Sequence, residues 1–382
     1  MARHTNNARV DVFLLIAAIV ALIIAASSRF SRHAVQPGRI DISVSQSGEA
    51  LFGKDIMDAL VLEFEEQNPA LRIQIAGNSN ADIVFFEDGE ISSLLAESAL
   101  ASLGPYANSE TPEEQWAIPL VSFVDVFLYN IDILQAANGD RPPKTRADFL
   151  AAARAVAAQG AAQPLALGLS REDPLALRRE LYPWIWAAGG DLRQEGVRQD
   201  GEESVTLSRA ATDAIAFFGQ LNREGLLAPG SLEQTRAQRL AEFAGGNIAM
   251  MAASSRDIPL LQRSAQGLNF GVTAMPQTAQ GKNRLGLSGI YAGISSACAQ
   301  PDEAWAFLAF VAGRKQALEE ALGAVPGSYP GTFPADYITS DPLYSKAWDI
   351  FEAADVVEYH PAGPLEEETS RIIREKLEEA FE

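Results

Sequence analysis

Trp116-Ala-Ile-Pro-Leu-Val-Ser-Phe-Val-Asp-Val-Phe-Leu-Tyr-Asn130 reads as a β-strand. Ile118, Leu120, Val121, Phe123, Val124, Val126, Phe127 and Leu128 are aliphatic or aromatic, and so unbroken an apolar run suits a strand covered on both faces. Two residues do not fit a plain buried strand. Pro119 removes a ladder donor near its start, and Asp125 puts a carboxylate in its middle, where it needs a partner.

Working outward, Ile40, Ile42 and Val44 alternate with polar residues as a first strand, broken at Ser47-Gly48-Glu49. The periodicity predicts a helix through Ile56, Leu60 and Phe64, stopped by Asn68-Pro69. Strands are expected over Leu71–Ile75 and Ala81–Phe86, the latter running into Glu87-Asp88-Gly89. Acidic groups at a strand's carboxyl end stand where open α/β sheets bind ligands. After the quoted stretch, Thr145 caps a helix predicted over Arg146–Ala158, with Asp148 in its first turn. Strands are also expected at Leu165–Leu169, Ile248–Ala252, Phe270–Val272 and Ile290–Ile294. Helices are expected at Ile91–Leu100, Ala211–Arg223, Pro301–Val311 and over the C-terminal stripe Thr369 to Phe381. Alternating strand and helix predicts a wound, mostly parallel sheet.

A chain of 382 residues with 47% hydrophobic content exceeds one ordinary core, so two lobes are expected. Its net charge is −20; the four arginines and one aspartate before Gln36 contribute +3, so the remainder carries −23. That balance argues against a nucleic-acid partner, whose phosphates need a basic face. One cysteine, Cys298, excludes an internal disulfide and a cysteine-rich metal site. With only His4, His33 and His360, and no zinc, nucleophile-elbow or phosphate-loop motif, no catalytic, metal or cofactor site is expected.

Arg3, His4 and Arg9 precede an apolar block from Val12 to Ala26, the pattern of an export signal. The uncharged positions 12–28 would make a helix of about 25 Å, short for a bilayer but adequate if its flanks snorkel. A cleaved signal and a retained anchor both fit. Either way the body faces the outside of the cytoplasmic membrane, with the basic flank inside.

The order of segments from Ile40 to Phe381 resembles the extracellular solute-binding proteins of the sugar-binding, maltose-binding-protein-like kind, the receptors of ABC importers. The resemblance rests on Leu62-Glu63-Phe64-Glu65-Glu66-Gln67-Asn68-Pro69, on Trp116-Ala117-Ile118-Pro119 with Leu128-Tyr129-Asn130, and on Ala187-Ala188-Gly189-Gly190-Asp191. Phe243-Ala244-Gly245-Gly246-Asn247 and Pro301-Asp302-Glu303-Ala304-Trp305 extend it. It implies two α/β lobes joined by two or three crossing strands: the quoted stretch, Ser288 to Ala292, and a third near Ala324 to Ser328. The expected division is 1–36 as export segment and linker, 37–121 with 290–325 as one lobe, and 122–289 with 326–382 as the other. It further implies a monomer that binds a sugar or sugar derivative in its cleft and presents it to importer membrane subunits. A membrane-tethered sensor is the alternative, and an enzyme using Glu87, Asp88 and Asp125 as acids or bases a distant third.

Candidate ligand contacts are Ser47, Gly48, Glu49, Glu87, Asp88, Asp125, Tyr182, Trp184, Trp186, Ser255, Arg256, Ser288, Gly289 and Tyr291. The carboxylates could accept from hydroxyls, and the aromatic faces could carry a sugar ring. Each has a structural counter-reading: a solvated turn for Glu87 and Asp88, hinge support for Asp125, core packing for the aromatics. Where relatives often carry a tryptophan that stacks on sugar, this chain has Ser255-Arg256-Asp257. Where they often place a polar contact, it has Phe123. An arginine at such a place could fork onto hydroxyls, a carboxylate or a phosphate.

Overall fold

The computed structural model describes residues 38–46, 51–76, 81–106, 115–138, 141–194, 205–265, 267–278, 284–324, 336–359 and 364–382. The export segment, Ser47 to Glu49, the third crossing beyond Ala324, and His360 lie outside them. No helix among the described residues is long and apolar enough to cross a membrane.

Eleven strands are described: β1 (Ile40–Gln46), β2 (Leu71–Ile75), β3 (Ile83–Glu87), β4 (Ile118–Asn130), β5 (Gln163–Leu165), β6 (Arg193–Gln194), β7 (Thr206–Leu207), β8 (Ile248–Ser254), β9 (Phe270–Thr273), β10 (Arg284–Ile294) and β11 (Val356–Tyr359). Nine form one sheet with the path β2-β1-β3-β10-β4-β8-β5, with β11 beside β10 and β9 beside β4. The outer pairs β1·β2, β1·β3 and β5·β8 are parallel, whereas β4 and β10 run antiparallel to each other and to most of their neighbours. The sheet is therefore mixed where the alternation of elements predicts a mostly parallel one.

Strands β4 and β10 are long because each serves two halves of the molecule. The first part of β4, to Val124, pairs with β10, and from Asp125 onward its partners are β8 and β9. Conversely β10 pairs with β11 through Arg284–Leu287 and with β3 through Ile290–Ile294. Their hydrophobic residues follow the same switch. Leu120, Val121, Phe123 and Ile290 enter the core of the β1–β3 half with Val44, Phe64, Phe85 and Phe307. Beyond the switch, Phe127 enters a second core with Phe149 and Trp184, while Val126 and Leu128 enter a third with Ile258 and Trp348. That alternation is the period of two of a strand covered on both faces.

The two unusual residues of β4 have local explanations. Ile290 pairs with Val121 but Tyr291 with Pro119, so the register slips beside the proline, where a missing N–H is tolerated. Asp125 is buried opposite Gly286 of β10: a Cβ built there would lie 1.9 Å from Asp125 Oδ2 and 2.6 Å from the Trp186 ring. Only glycine lets the second crossing strand pass the aspartate.

The helices follow the expected stripes with shifted ends. Thr145 Oγ1 accepts from the Asp148 N–H at 3.1 Å and the Asp148 carboxylate accepts from Thr145 N–H, a reciprocal cap for the helix Arg146–Gln159. The helix expected over Ile91–Leu100 ends at Ala96, with Ser98 in the left-handed region at φ 54°. The strand expected over Leu165–Leu169 stops at Leu165.

Candidate functional site: a charged pocket at the strand crossing

Where β3, β4, β8 and β10 approach one another, side chains from both halves line a common pocket. Glu87 ends β3, Phe123 and Asp125 come from β4, Ser254 ends β8, Arg256 follows it, and Ser288 and Gly289 belong to β10. Arg179 enters from the helix Ala176–Glu180, Arg236 and Arg239 from the helix Arg236–Ala244, one turn apart. The innermost space is about 30 Å³, room for little more than a water. An adjoining chamber of about 270 Å³, bounded also by Glu90, Glu172, Asp173 and Thr235, shares Glu87, Arg179, Arg236 and Arg256 with it.

Charge organises this pocket. Glu87 Oε2 accepts from Arg179 Nη2 at 2.7 Å and Oε1 from Arg256 Nη1 at 2.9 Å, so each carboxylate oxygen is held by a different arginine from the opposite half. Arg179 Nη1 also donates to Asp173 at 2.8 Å, and Arg256 Nη2 to the Leu51 carbonyl at 3.1 Å. The Arg256 guanidinium lies 5.6 Å from the Phe123 ring centroid. Arg236 pairs with Asp257, whose carboxylate also accepts from Ser254 N–H at 3.0 Å. Fully buried Arg239 pairs with Glu180 at 2.9 Å.

The protonation balance follows from that crowding. Burial alone would raise Glu87, but Arg179, Arg256 and Arg236 more than offset it, holding its carboxyl below the ordinary range. Arg236 is pushed down to about 9, first by burial and then by the neighbouring Arg179, Arg256 and Arg239 charges. Asp88 is pushed up to about 7 by burial and by the Glu87 charge, against Arg178 and the Gly89 and Gly289 N–H groups. Burial, reinforced by Asp88, drives Asp125 well above the usual carboxylate range, and among the described residues its Oδ2 has no hydrogen-bond partner.

Five of the candidate contacts, Glu87, Asp125, Arg256, Ser288 and Gly289, line the pocket together. Asp88 lies behind them in the turn Asp88–Glu90, with Oδ1 accepting from Gly89 N–H at 2.9 Å.

Other candidates are placed differently from the expectation. Tyr182, Trp184 and Trp186 lie on the short helix Tyr182–Trp186 and are buried in the second core. Trp184 packs edge-on against Phe127, Phe149 and Phe218 at centroid separations of 5.2–5.7 Å, and the Tyr182 hydroxyl donates to Glu366. A ring enclosed on several sides has no face left for a sugar, so the stacking role expected for one of these aromatics is replaced by packing. Ser255 is fully buried, its Oγ accepting from Val124 N–H at 3.3 Å, which leaves the hydroxyl to the crossing strand. Tyr291 stacks on Phe86 in a small apolar cluster with Ile91 and Leu100 and does not itself line the pocket.

Arg179, Arg236, Arg239, Ser254 and Asp257 are pocket residues absent from the candidates. Arg236 and Arg239, three apart on an otherwise amphipathic helix, carry the signal that could have revealed them. Arg178-Arg179-Glu180 inside an apolar surround is a second such signal, since buried charges need partners.

The sequence matches, over residues 61–318, the family described as bacterial extracellular solute-binding protein. No curated protein matched it in sequence. In structure it resembles a protein studied for xylan utilization by Caldanaerobius polysaccharolyticus (TM-score 0.72, 16% identity, covering 89% of this chain and 96% of that one). It also resembles the GacH receptor of Streptomyces glaucescens, solved alone and with acarbose (TM-score 0.69, 18% identity, 89% and 92% covered). A third similar structure is a Thermotoga lettingae ABC-transporter solute-binding protein bound to α-D-tagatose (TM-score 0.69, 17% identity, 89% and 96% covered).

Proposed function

The chain belongs to the bacterial extracellular solute-binding proteins, and from that premise we propose that it captures a small polar solute, a sugar or sugar derivative, and hands it to the membrane subunits of an ABC importer. The observation that carries this reading is the pocket at the crossing of β4 and β10, where Glu87 of one half meets Arg179 and Arg256 of the other. The sugar ligands of similar structures, acarbose and α-D-tagatose, support the solute class.

In this reading 37–121 with 290–325 form one lobe and 122–289 with 326–382 the other. The switch points, Val124/Asp125 on β4 and Leu287 to Ile290 on β10, are the hinges, where a few residues absorb the change in φ and ψ while each lobe stays rigid. A solute touching both lobes favours the closed form by its differential affinity, and the importer reads that closure. Glu87, Asp125, Arg256, Ser288 and Gly289, which line the pocket, are the residues it meets. Positions 12–28 either tether this monomeric receptor outside the cytoplasmic membrane or leave with a cleaved signal.

Thermal-shift screening of the full chain against sugars, sugar acids, polyols and sugar phosphates tests the proposal. A ligand at about 100 times its Kd stabilises by about 2.7 kcal/mol, so a true solute raises Tm measurably. A broad panel without one shift would remove the carbohydrate reading.

A further inference from the structure

Resting on the receptor reading above, we propose that the solute is a small sugar acid whose carboxylate is taken by the Arg179–Arg256 fork. The fork already holds a carboxylate. Glu87 places one oxygen on Arg179 at 2.7 Å and the other on Arg256 at 2.9 Å, and the two guanidiniums reach it from separate elements. Two donors converging on the two oxygens of one planar group make a carboxylate receptor, with the protein's own side chain as the present guest.

Two further observations favour an acidic solute over a neutral one, and a third favours a small one. Arg236 stands beside the fork, and the mutual repulsion of these guanidiniums contributes to its lowered proton affinity, so an added anion relieves like-charge crowding. Among the described residues Phe123 is the only aromatic lining either chamber, and Arg256 covers its ring, while Trp184 and Trp186 are enclosed in the core. A neutral sugar ring therefore lacks the stacking face that would supply its dispersion energy. Finally, the chamber of about 270 Å³ beside the fork admits one ring and not an oligosaccharide. With the carboxylate on the fork, hydroxyls of the same ring face Glu172, Asp173 and Thr235. Glu87 must swing aside for the exchange, so it competes with the solute.

Calorimetric titration of the full chain with D-glucuronate and D-galacturonate, beside glucose, galactose and glucose 6-phosphate, tests this. The expected result is an acid bound at least about 100-fold more tightly than its neutral parent, the scale of a desolvated charge pair. Glu87→Gln, which removes the competing negative charge from the fork, should tighten the acid about tenfold. Arg256→Lys, which keeps the charge but removes the fork geometry, should weaken it at least about tenfold. The wild-type ligand series stands by itself if either variant folds poorly. A neutral sugar bound as tightly as its acid, or the phosphate bound more tightly than either acid, overturns the carboxylate assignment and leaves the receptor reading intact. Binding by none of the three classes overturns both.

Discussion

The aromatic cluster around Trp184 and the guanidinium cluster around Glu87 both gather large side chains beside the crossing strands, and they are built in opposite ways. In the first, Phe127, Phe149, Trp184 and Phe218 meet edge to face and exclude water. In the second, Arg179 and Arg256 share one carboxylate, Arg236 stands beside them paired with Asp257, and all three border open space. The rings have spent their contacts on one another, so they fix the fold. The arginines hold contacts that a solute with the right charge can take over, so they are placed to exchange. Residue type alone would have assigned the ligand to the rings.

The largest expected effect breaks the first cluster. Trp184→Ala removes a fully buried ring and should cost about 3–5 kcal/mol, seen as a large fall in Tm. Because Trp184 does not line the pocket, the solute affinity of the folded fraction should change by less than about threefold. A selective loss of affinity at unchanged Tm would move Trp184 back to the site.

Next, Gly286→Ala forces a Cβ into the Asp125 carboxylate and the enclosed Trp186 ring, neither free to retreat. Overpacking of this kind costs about 1–3 kcal/mol. Since Gly286 stands where β10 passes between the clusters, the change should lower both Tm and solute affinity. An unchanged affinity would place the hinge elsewhere.

Asp125→Asn separates the clusters by pH. A carboxyl raised by burial is favoured neutral in the folded state, so stability is lost as pH rises from the ordinary carboxylate value toward the folded one. The amide cannot ionise, and its Tm advantage over the wild type should grow from pH 4 to pH 8. Glu87 behaves conversely: its lowered pKa means stability present at neutral pH and lost on acidification below about pH 4. Glu87→Gln should therefore differ from the wild type in Tm at pH 7, and the difference should shrink as the pH falls below about 4. An Asp125→Asn advantage constant across pH, or a Glu87→Gln difference that persists in acid, would contradict these assignments.

The smallest expected effect concerns a separate groove of about 740 Å³ lined by Tyr129, Phe270, Leu343, Lys346 and Ile350. It is larger than the charged pocket but lies between β4, β9 and the helix Pro342–Glu352, all in one half. Lys346→Ala should change solute affinity by less than about twofold in titration.

Much of the architecture was legible because it rests on periodicity. The strand Ile118–Asn130, the Asn68-Pro69 stop and the Thr145 cap are local signals, and each appears at or near its expected place. The run of β10 back to Arg284 was not, because Gly286, Ser288 and Gly289 dilute its apolar pattern, and the need for glycine arises only from Asp125 across the sheet. The site was half legible for the same reason. Glu87 ends β3 and Arg256 closely follows the end of β8, positions readable in one dimension. Arg179 and Arg236 join them only through the packing of two helices against that strand end, and whether Tyr182-Pro-Trp184 faces a cleft or a core depends on Phe149 and Phe218, distant in sequence.

A crystal structure with the first binding sugar or sugar acid shows whether the solute enters at the strand crossing. Ligand density is expected to be bounded by Arg179, Arg256 and Ser288, with the Glu87 carboxylate turned from the fork. Density confined to the groove between Phe270 and Lys346, with the Glu87 ion pairs intact, would contradict it.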